Sequence, residues 1–324
     1  MRALVCEAAG RAALVERPDL VPGPGEVVVR VKAALTCGTD LKLLRRGHPK
    51  VPFPVTLGHE MAGVVDSAGA GAPFAPGDRV TSAVTAPCGV CRPCRDGRQN
   101  LCETAFDAPL WGAFADFVLL SPRLVRGAVR RVPDGLSFEA AALLDPLASV
   151  VHGLSRVAPK AGSRVLIAGC GPIGLLFFLL LRGKGSEIGV TGLERGRLAL
   201  FATLGAGVDE AEAPFDLVVD TTGDPAYASS LASRVAPGGT LLLFAGMAAG
   251  SRLSADAFRV HYEEVSVVGS FHYTAADADR ALSLLASGAV PTAPLLSKTR
   301  PLAEWREAFG EAERGDVMKT VLVP

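Results

Sequence analysis

The chain has 324 residues, 33 Lys and Arg against 33 Asp and Glu, and 49% hydrophobic residues. That length suggests about two domains, each large enough to bury a core without covalent staples. The balanced charge supplies no overall field for nucleic acid or anionic lipid, so a small molecule is the expected ligand.

The first stretch, MRALVCEAAGRAALVERPD, lacks the basic start, apolar core and cleavage site of a secretory signal. The longest wholly apolar run, Leu175 to Leu181, is far short of a membrane span. A cytoplasmic chain is expected, with no membrane partner and with its thiols reduced. Residues 1 to about 147 read as short β-rich segments such as VVVRVKAAL and MAGVVDSAG, split by PGPGE and APGDRV, as in a compact and largely antiparallel domain. Metal-capable residues are scattered through it: Cys37 in LTCGTD, His59 and Glu60 in LGHE, Asp145 in LLDPLASVVHG. Singly, each has a plain explanation as a buried cysteine, a satisfied histidine or a helix-terminal aspartate.

The stretch PCGVCRPCRDGRQNLC places Cys88, Cys91, Cys94 and Cys102 at the spacing C-x2-C-x2-C-x7-C. Three closely spaced thiolates and one returning thiolate can close a tetrahedron around one ion. Four soft ligands suit zinc and leave no open position for chemistry, so the site is expected to be structural. An iron–sulfur cluster is the rival, but nothing else in the chain looks like an electron-transfer path.

From Ala161 the texture changes to strands alternating with helices: SRVLIAG, GPIGLLFFLLLRGKG, EIGVTGL, RGRLALFATLGAG, DLVVDTTGD, PAYASSLASRVAPGG, TLLLFAG and EVSVVGS. This pattern predicts a doubly wound parallel sheet with helices on both faces. VLIAGCGPIG puts Gly169, Gly171, Pro172, Ile173 and Gly174 directly after a strand and at the start of a helix. There the glycines permit a tight turn, close approach of a pyrophosphate and close helix–strand packing, so a dinucleotide is expected. The tail after about residue 288, with PLAEWREAFGEAERG and KTVLVP, returns to the first texture. The middle domain therefore reads as an insertion between two parts of the first.

Taken together, CGTD, GHE followed by GVV, PGDRV, the cysteine cluster, DPLASVVHG, GCGPIG, APGG and the terminal K-x-VLVP resemble the zinc-containing medium-chain alcohol dehydrogenases, and more narrowly their polyol and threonine dehydrogenase branch. The resemblance runs nearly end to end. It implies an α/β chain with a GroES-like, mainly-β catalytic domain over 1–147 and 289–324 and a Rossmann dinucleotide-binding domain over 148–288. It also implies two zincs, a homodimer or homotetramer, and hydride transfer between a secondary alcohol of polyol, sugar or hydroxy-amino-acid type and NAD or NADP. Cys88, Cys91, Cys94 and Cys102 then brace a lobe, while Cys37 and His59 hold the catalytic zinc. The third ligand is expected on the segment ending in DPL, where this chain has Asp145, one methylene shorter than the glutamate of the polyol branch; Glu60 or a water is the alternative. Thr39 matches the family's hydroxyl that bonds the substrate oxygen and passes on its proton. The next relay position holds Lys42 in place of a histidine, and His48 is the nearby substitute.

The substrate pocket is expected to draw on residues 41 to 56, the stretch around Trp111 and the segment 269 to 273. In NAD-preferring relatives the second Rossmann strand ends in an acidic residue that binds the ribose hydroxyls. Gly192 occupies that position here, followed by Glu194, Arg195 and Arg197. The vacancy and the guanidinium of Arg195 predict a modest preference for NADP, and Glu194 is the residue that would restore NAD. A non-catalytic dinucleotide-binding relative and a zinc-free reductase of activated alkenes are the competing functions. The retained Cys37, His59 and Glu60 disfavour both.

Overall fold

The computed structural model describes residues 1–47, 51–208 and 214–324. Within them the chain forms two compact units, Met1–Ala148 with Tyr273–Gly288 and Thr292–Pro324, and Ser149–His272 with Ala289–Pro291. His48, a candidate relay residue, lies outside the described residues.

The first unit is built on a seven-stranded sheet. The path runs Leu296–Pro301, Lys319–Val323, Val27–Leu35, Met61–Ala68, Arg79–Ser82 and Val129–Arg131, with Phe117–Leu120 also paired to Val27–Leu35. The pairing is antiparallel except between the first two strands. A smaller antiparallel sheet joins Arg11–Glu16, Arg2–Ala8 and Val55–Thr56. The strand VVVRVKAAL exposes only Arg30 and Lys32 and buries the rest, as a central strand covered on both faces must.

Two pairings of that central strand decide where chemistry can occur. Ala34 lies opposite Met61, and the Leu35 N–H bonds the Glu60 carbonyl at 2.9 Å, which sets His59 and Glu60 beside the strand end that leads into Cys37. On its other edge Leu35 pairs with Val321, and the Thr36 N–H bonds the Thr320 carbonyl at 3.0 Å, so the chain's last strand delivers Lys319 to the same place.

The second unit holds a six-stranded, wholly parallel sheet in the order Gly207–Val208, Glu187–Thr191, Arg164–Ala168, Phe215–Asp220, Val235–Leu243, Ser266–Gly269. Numbered within the unit this is 3-2-1-4-5-6, the dinucleotide-binding order. Leu166, Ala168, Val218, Leu231, Val235 and Leu241 form a core on this sheet. The helix Pro172–Arg182 buries Leu175, Leu176, Phe177, Phe178, Leu179 and Leu181, which explains its nearly unbroken apolar sequence.

The units differ from the sequence expectation at one element. The helix Ala275–Ala286, expected within the insertion, groups with the first unit. Its residues are tied there by Arg130 Nε to Asp279 at 2.5 Å and by the Ala275 N–H to Gln99 Oε1 at 3.3 Å. Those bonds join residues far apart in sequence, which hydrophobic texture alone does not reveal. No helix among the described residues is long and apolar enough to cross a membrane.

Candidate active site

Cys37 stands in extended backbone immediately before the helix Gly38–Arg46. The first turn of that helix carries Thr39, which is exposed, and Asp40, which is fully enclosed. Asp40 Oδ1 accepts the Gly58 N–H at 3.0 Å and lies 3.4 Å from His59 Nδ1. One donor atom each from Cys37, Asp40 and His59 lies within 4.8 Å of the others, and the same holds for His59, Glu60 and Asp145. His59 joins the two groups, while Cys37 and Asp145 fall in different ones.

Burial acts to lower the His59 pKa, but the neighbouring Asp40 and Cys37 outweigh it and hold the imidazole well above its usual value. A carboxylate and a sulfur facing a buried imidazole mark a place where positive charge is favoured. His59 Nδ1 and Asp40 Oδ2 are enclosed and make no aligned hydrogen bond. Orphaned buried polar atoms are rare and costly, and a thiol, an imidazole and carboxylates in reach of one another are the donor set of a zinc site. The residues therefore fit a divalent metal.

Two further groups steady the carboxylates. Lys319 Nζ bonds Glu60 Oε2 at 2.6 Å and the Thr36 carbonyl at 3.1 Å, with both charged side chains almost wholly buried. Burial works against the ammonium, and Glu60 outweighs it, so the Lys319 pKa is raised. Burial pushes Glu60 up, while Lys319 and His59 pull it back. Asp145 Oδ1 accepts a short hydrogen bond from the Tyr273 hydroxyl and a second from the Val84 N–H at 3.2 Å. The Val84 N–H also donates to the Tyr273 oxygen at 3.0 Å. Burial and the adjacent Asp145 raise the Tyr273 pKa well above its usual value, which keeps the phenol protonated as the donor.

Trp111 meets His59 edge-on, with ring centroids 5.1 Å apart and planes at 70°. Its position is fixed by the Leu110 N–H on the Val84 carbonyl at 2.7 Å and the Gly112 N–H on the Gly58 carbonyl at 3.0 Å. Of the other expected pocket positions, Phe271 is exposed and His272 has a left-handed backbone, φ 57°, leading into buried Tyr273.

Asp40 and Lys319 carry no role in the sequence reading, and Tyr273, expected as part of a pocket-lining segment, instead bonds Asp145. Asp40 had a usable signal, because a carboxylate three residues after Cys37 falls on the first turn of the following helix. Lys319 had another: a lone lysine opening the apolar strand KTVLV is costly unless paired.

The four clustered cysteines also come together, with all four sulfurs within 4.8 Å. Backbone N–H groups of Cys88 and Cys91 donate to Cys102 Sγ at 3.2 Å and Cys88 Sγ at 3.3 Å. Such bonds lower the Cys88 pKa to about 6, whereas burial pushes Cys94 up to about 12. Amide donors converging on sulfur favour the thiolate form that a metal requires.

In the second unit, Gly169 leaves the first strand at φ 115°, and a Cβ on Gly174 would lie 2.1 Å from its carbonyl oxygen. No larger residue fits at Gly174, which is the packing role expected of the third glycine. Gly171 precedes the helix Pro172–Arg182, whose first turn holds Pro172 and Ile173. At Gly192 a Cβ would lie 2.3 Å from Cys170 Sγ, so the thiol occupies the space of any side chain there. Cys170 Sγ donates to Glu194 Oε2 at 3.1 Å, and Arg197 Nη1 lies 3.9 Å from Glu194 Oε1. Burial opposes ionisation of Glu194, but the thiol and Arg197 outweigh it and lower its pKa. Arg195, exposed, opens the helix Arg195–Thr203.

Comparison with known proteins gives a consistent picture. The family profile of the alcohol dehydrogenase GroES-like domain matches residues 23–133. The chain is 35% identical to D-altritol 5-dehydrogenase of Agrobacterium fabrum over 93% of its length and 92% of that protein. It is 31% identical to sorbitol dehydrogenase of Halalkalibacterium halodurans, covering 97% and 96%. Among solved structures it resembles a dehydrogenase described as zinc-binding from Sinorhizobium meliloti 1021, bound to NADP, at 30% identity with a TM-score of 0.89, covering 100% and 99%.

Proposed function

Because the chain belongs to the zinc-containing medium-chain alcohol dehydrogenase superfamily, in its polyol dehydrogenase branch, we propose that it moves a hydride between a secondary alcohol of a polyol or sugar-like substrate and NAD or NADP. The observation that carries this reading is the pair of donor groups that share buried His59, Cys37 with Asp40 on one side and Glu60 with Asp145 on the other, with orphaned polar atoms on His59 and Asp40, in a chain that also has the dinucleotide sheet and glycine loop. A non-catalytic relative would have no reason to keep a cluster so costly to bury.

We assign Cys37, His59 and Asp145 as the catalytic metal's ligands, with Glu60 close by, and the four clustered cysteines as a separate bracing zinc site. When bound, zinc supplies Lewis acidity that eases loss of the alcohol proton, and the nicotinamide supplies the hydride acceptor. The protein's own groups prepare the site. Asp40 faces His59 Nδ1 and steadies the ring. Tyr273 and Val84 fix the carboxylate of Asp145 in one orientation. Lys319 balances the charge of Glu60. Thr39, exposed on the first turn after Cys37, holds the substrate oxygen and hands its proton toward water.

The direct test supplies purified protein with polyols, sugars and simple secondary alcohols and follows NAD or NADP reduction. Turnover on at least one polyol that is abolished by a chelator and restored by zinc is the expected result. Turnover indifferent to metal removal would overturn the reading.

Both dinucleotides should be used. Gly192 removes the usual ribose carboxylate and Arg195 favours a phosphate, while Glu194, held against the glycine loop by Cys170, places a negative charge two residues further on. Glu194→Gln should therefore shift the ratio of kcat/KM toward NADP by roughly tenfold or more, since a like charge beside a 2′-phosphate is removed. An unchanged ratio would show that Glu194 does not face the adenosine ribose.

We further propose a cytoplasmic homodimer or homotetramer. All seven cysteines are free, as a reducing compartment requires. Among the described residues the strand Ser266–Gly269 ends its sheet with an unpaired edge and Val267 exposed.

A further inference from the structure

The cysteine lobe is gripped from outside by one arginine. Arg123 lies in the helix Pro122–Gly127, which is capped by the Ser121 hydroxyl and anchored by buried Leu124 and Val125. Its Nε donates to the Ala86 carbonyl at 2.8 Å, and its Nη2 to Thr104 Oγ1 at 3.1 Å and Cys102 Sγ at 3.6 Å. Ala86 stands two residues before the first clustered cysteine and Thr104 two residues after the last. One rigid guanidinium thus spans the neck of the lobe and touches a sulfur.

Charge gives this contact a purpose. Four thiolates around a divalent ion leave a net charge of about −2, and Cys94 and Cys102 are buried. Backbone N–H donors offset part of that charge, but a nearby cation offsets more. Two of the lobe's own arginines are turned elsewhere, because Arg92 and Arg98 lie 3.7 and 3.4 Å from Asp96. Among the described residues, Arg123 is the arginine with a hydrogen bond to one of the four sulfurs.

We propose that Arg123 is a positioning residue of the four-cysteine site, orienting and neutralising the Cys102 thiolate and thereby setting how firmly zinc is retained there. The proposal rests on reading Cys88, Cys91, Cys94 and Cys102 as a zinc site. Loss of the fork's two-sided grip frees the neck of the lobe, and loss of its charge leaves the negative charge of the four-sulfur site less balanced. Lysine keeps the charge but cannot bond Ala86, Thr104 and Cys102 together, so it should restore part of the effect.

The test measures zinc release from the purified full-length protein to a chromogenic chelator, with zinc per chain, thermal stability and initial kcat read alongside. Arg123→Gln should release the cluster's zinc about 10–100-fold faster than the parent chain, the usual range for removing an outer-shell partner. Arg123→Lys should fall between, and kcat of freshly loaded protein should be unchanged. Parent-like release from Arg123→Gln would overturn the proposal, as would a lower melting temperature with parent-like release, because that pattern belongs to a merely structural contact. Cys91→Ser provides the control. If it carries as much zinc as the parent chain, the four-cysteine reading fails and takes the proposal with it, while the assignment of the catalytic cluster stands.

Discussion

Cys37→Ser is expected to reduce turnover by at least about 10³-fold, because Lewis-acid catalysis contributes several kcal/mol and each 1.4 kcal/mol is a factor of ten. A serine hydroxyl stays protonated near neutral pH and is a far poorer zinc ligand than a thiolate. Asp40, His59, Glu60 and Lys319 would remain, so the first unit should stay folded, and the glycine loop of the second unit uses none of these residues. The expected outcome is zinc content lowered by one per chain, dinucleotide affinity retained and hydride transfer lost. Undiminished turnover would remove Cys37 from the mechanism. The same assay decides the third ligand. Asp145→Asn should weaken metal retention more than Glu60→Gln if Asp145 is the ligand, and the reverse order would transfer that role to Glu60.

Lys319→Met should cost about 3–5 kcal/mol of stability, the range for breaking one side of a buried ion pair, since it leaves Glu60 enclosed without its counter-charge. Measured on metal-free protein, so that ligand binding does not mask the loss, the first thermal transition should fall by on the order of 10 °C. Combining Lys319→Met with Glu60→Gln should recover much of that loss, because no unpaired charge then remains buried. A single variant as stable as the parent would mean that Glu60 is satisfied without Lys319.

The parts of the site that were legible in sequence are those fixed by short-range chain geometry. The spacing of Cys88, Cys91, Cys94 and Cys102 brings four sulfurs together through a few local turns. Gly169, Gly171 and Gly174 act within one strand–turn–helix connection. The alternation of apolar strands with helices was enough to predict a parallel sheet, because βαβ connections leave few other arrangements. Cys37, His59, Glu60 and Asp145 were found as motifs, but spacing gave no sign of which would meet.

Tertiary structure decided the partners. Lys319 reaches Glu60 across 259 positions, and Tyr273 reaches Asp145 across 128. Both contacts follow from how distant segments pack, which no local pattern encodes. The helix Ala275–Ala286 follows the last strand of the second unit in the chain, yet its bonds through Asp279 and Ala275 tie it to the first. Gly192 shows the same division on the cofactor side. The sequence by itself determined that a carboxylate is missing there; the fold alone reveals that Cys170 Sγ fills the space and holds Glu194 beside the loop, because the parallel pairing of Arg164–Ala168 with Glu187–Thr191 brings the two strand ends together.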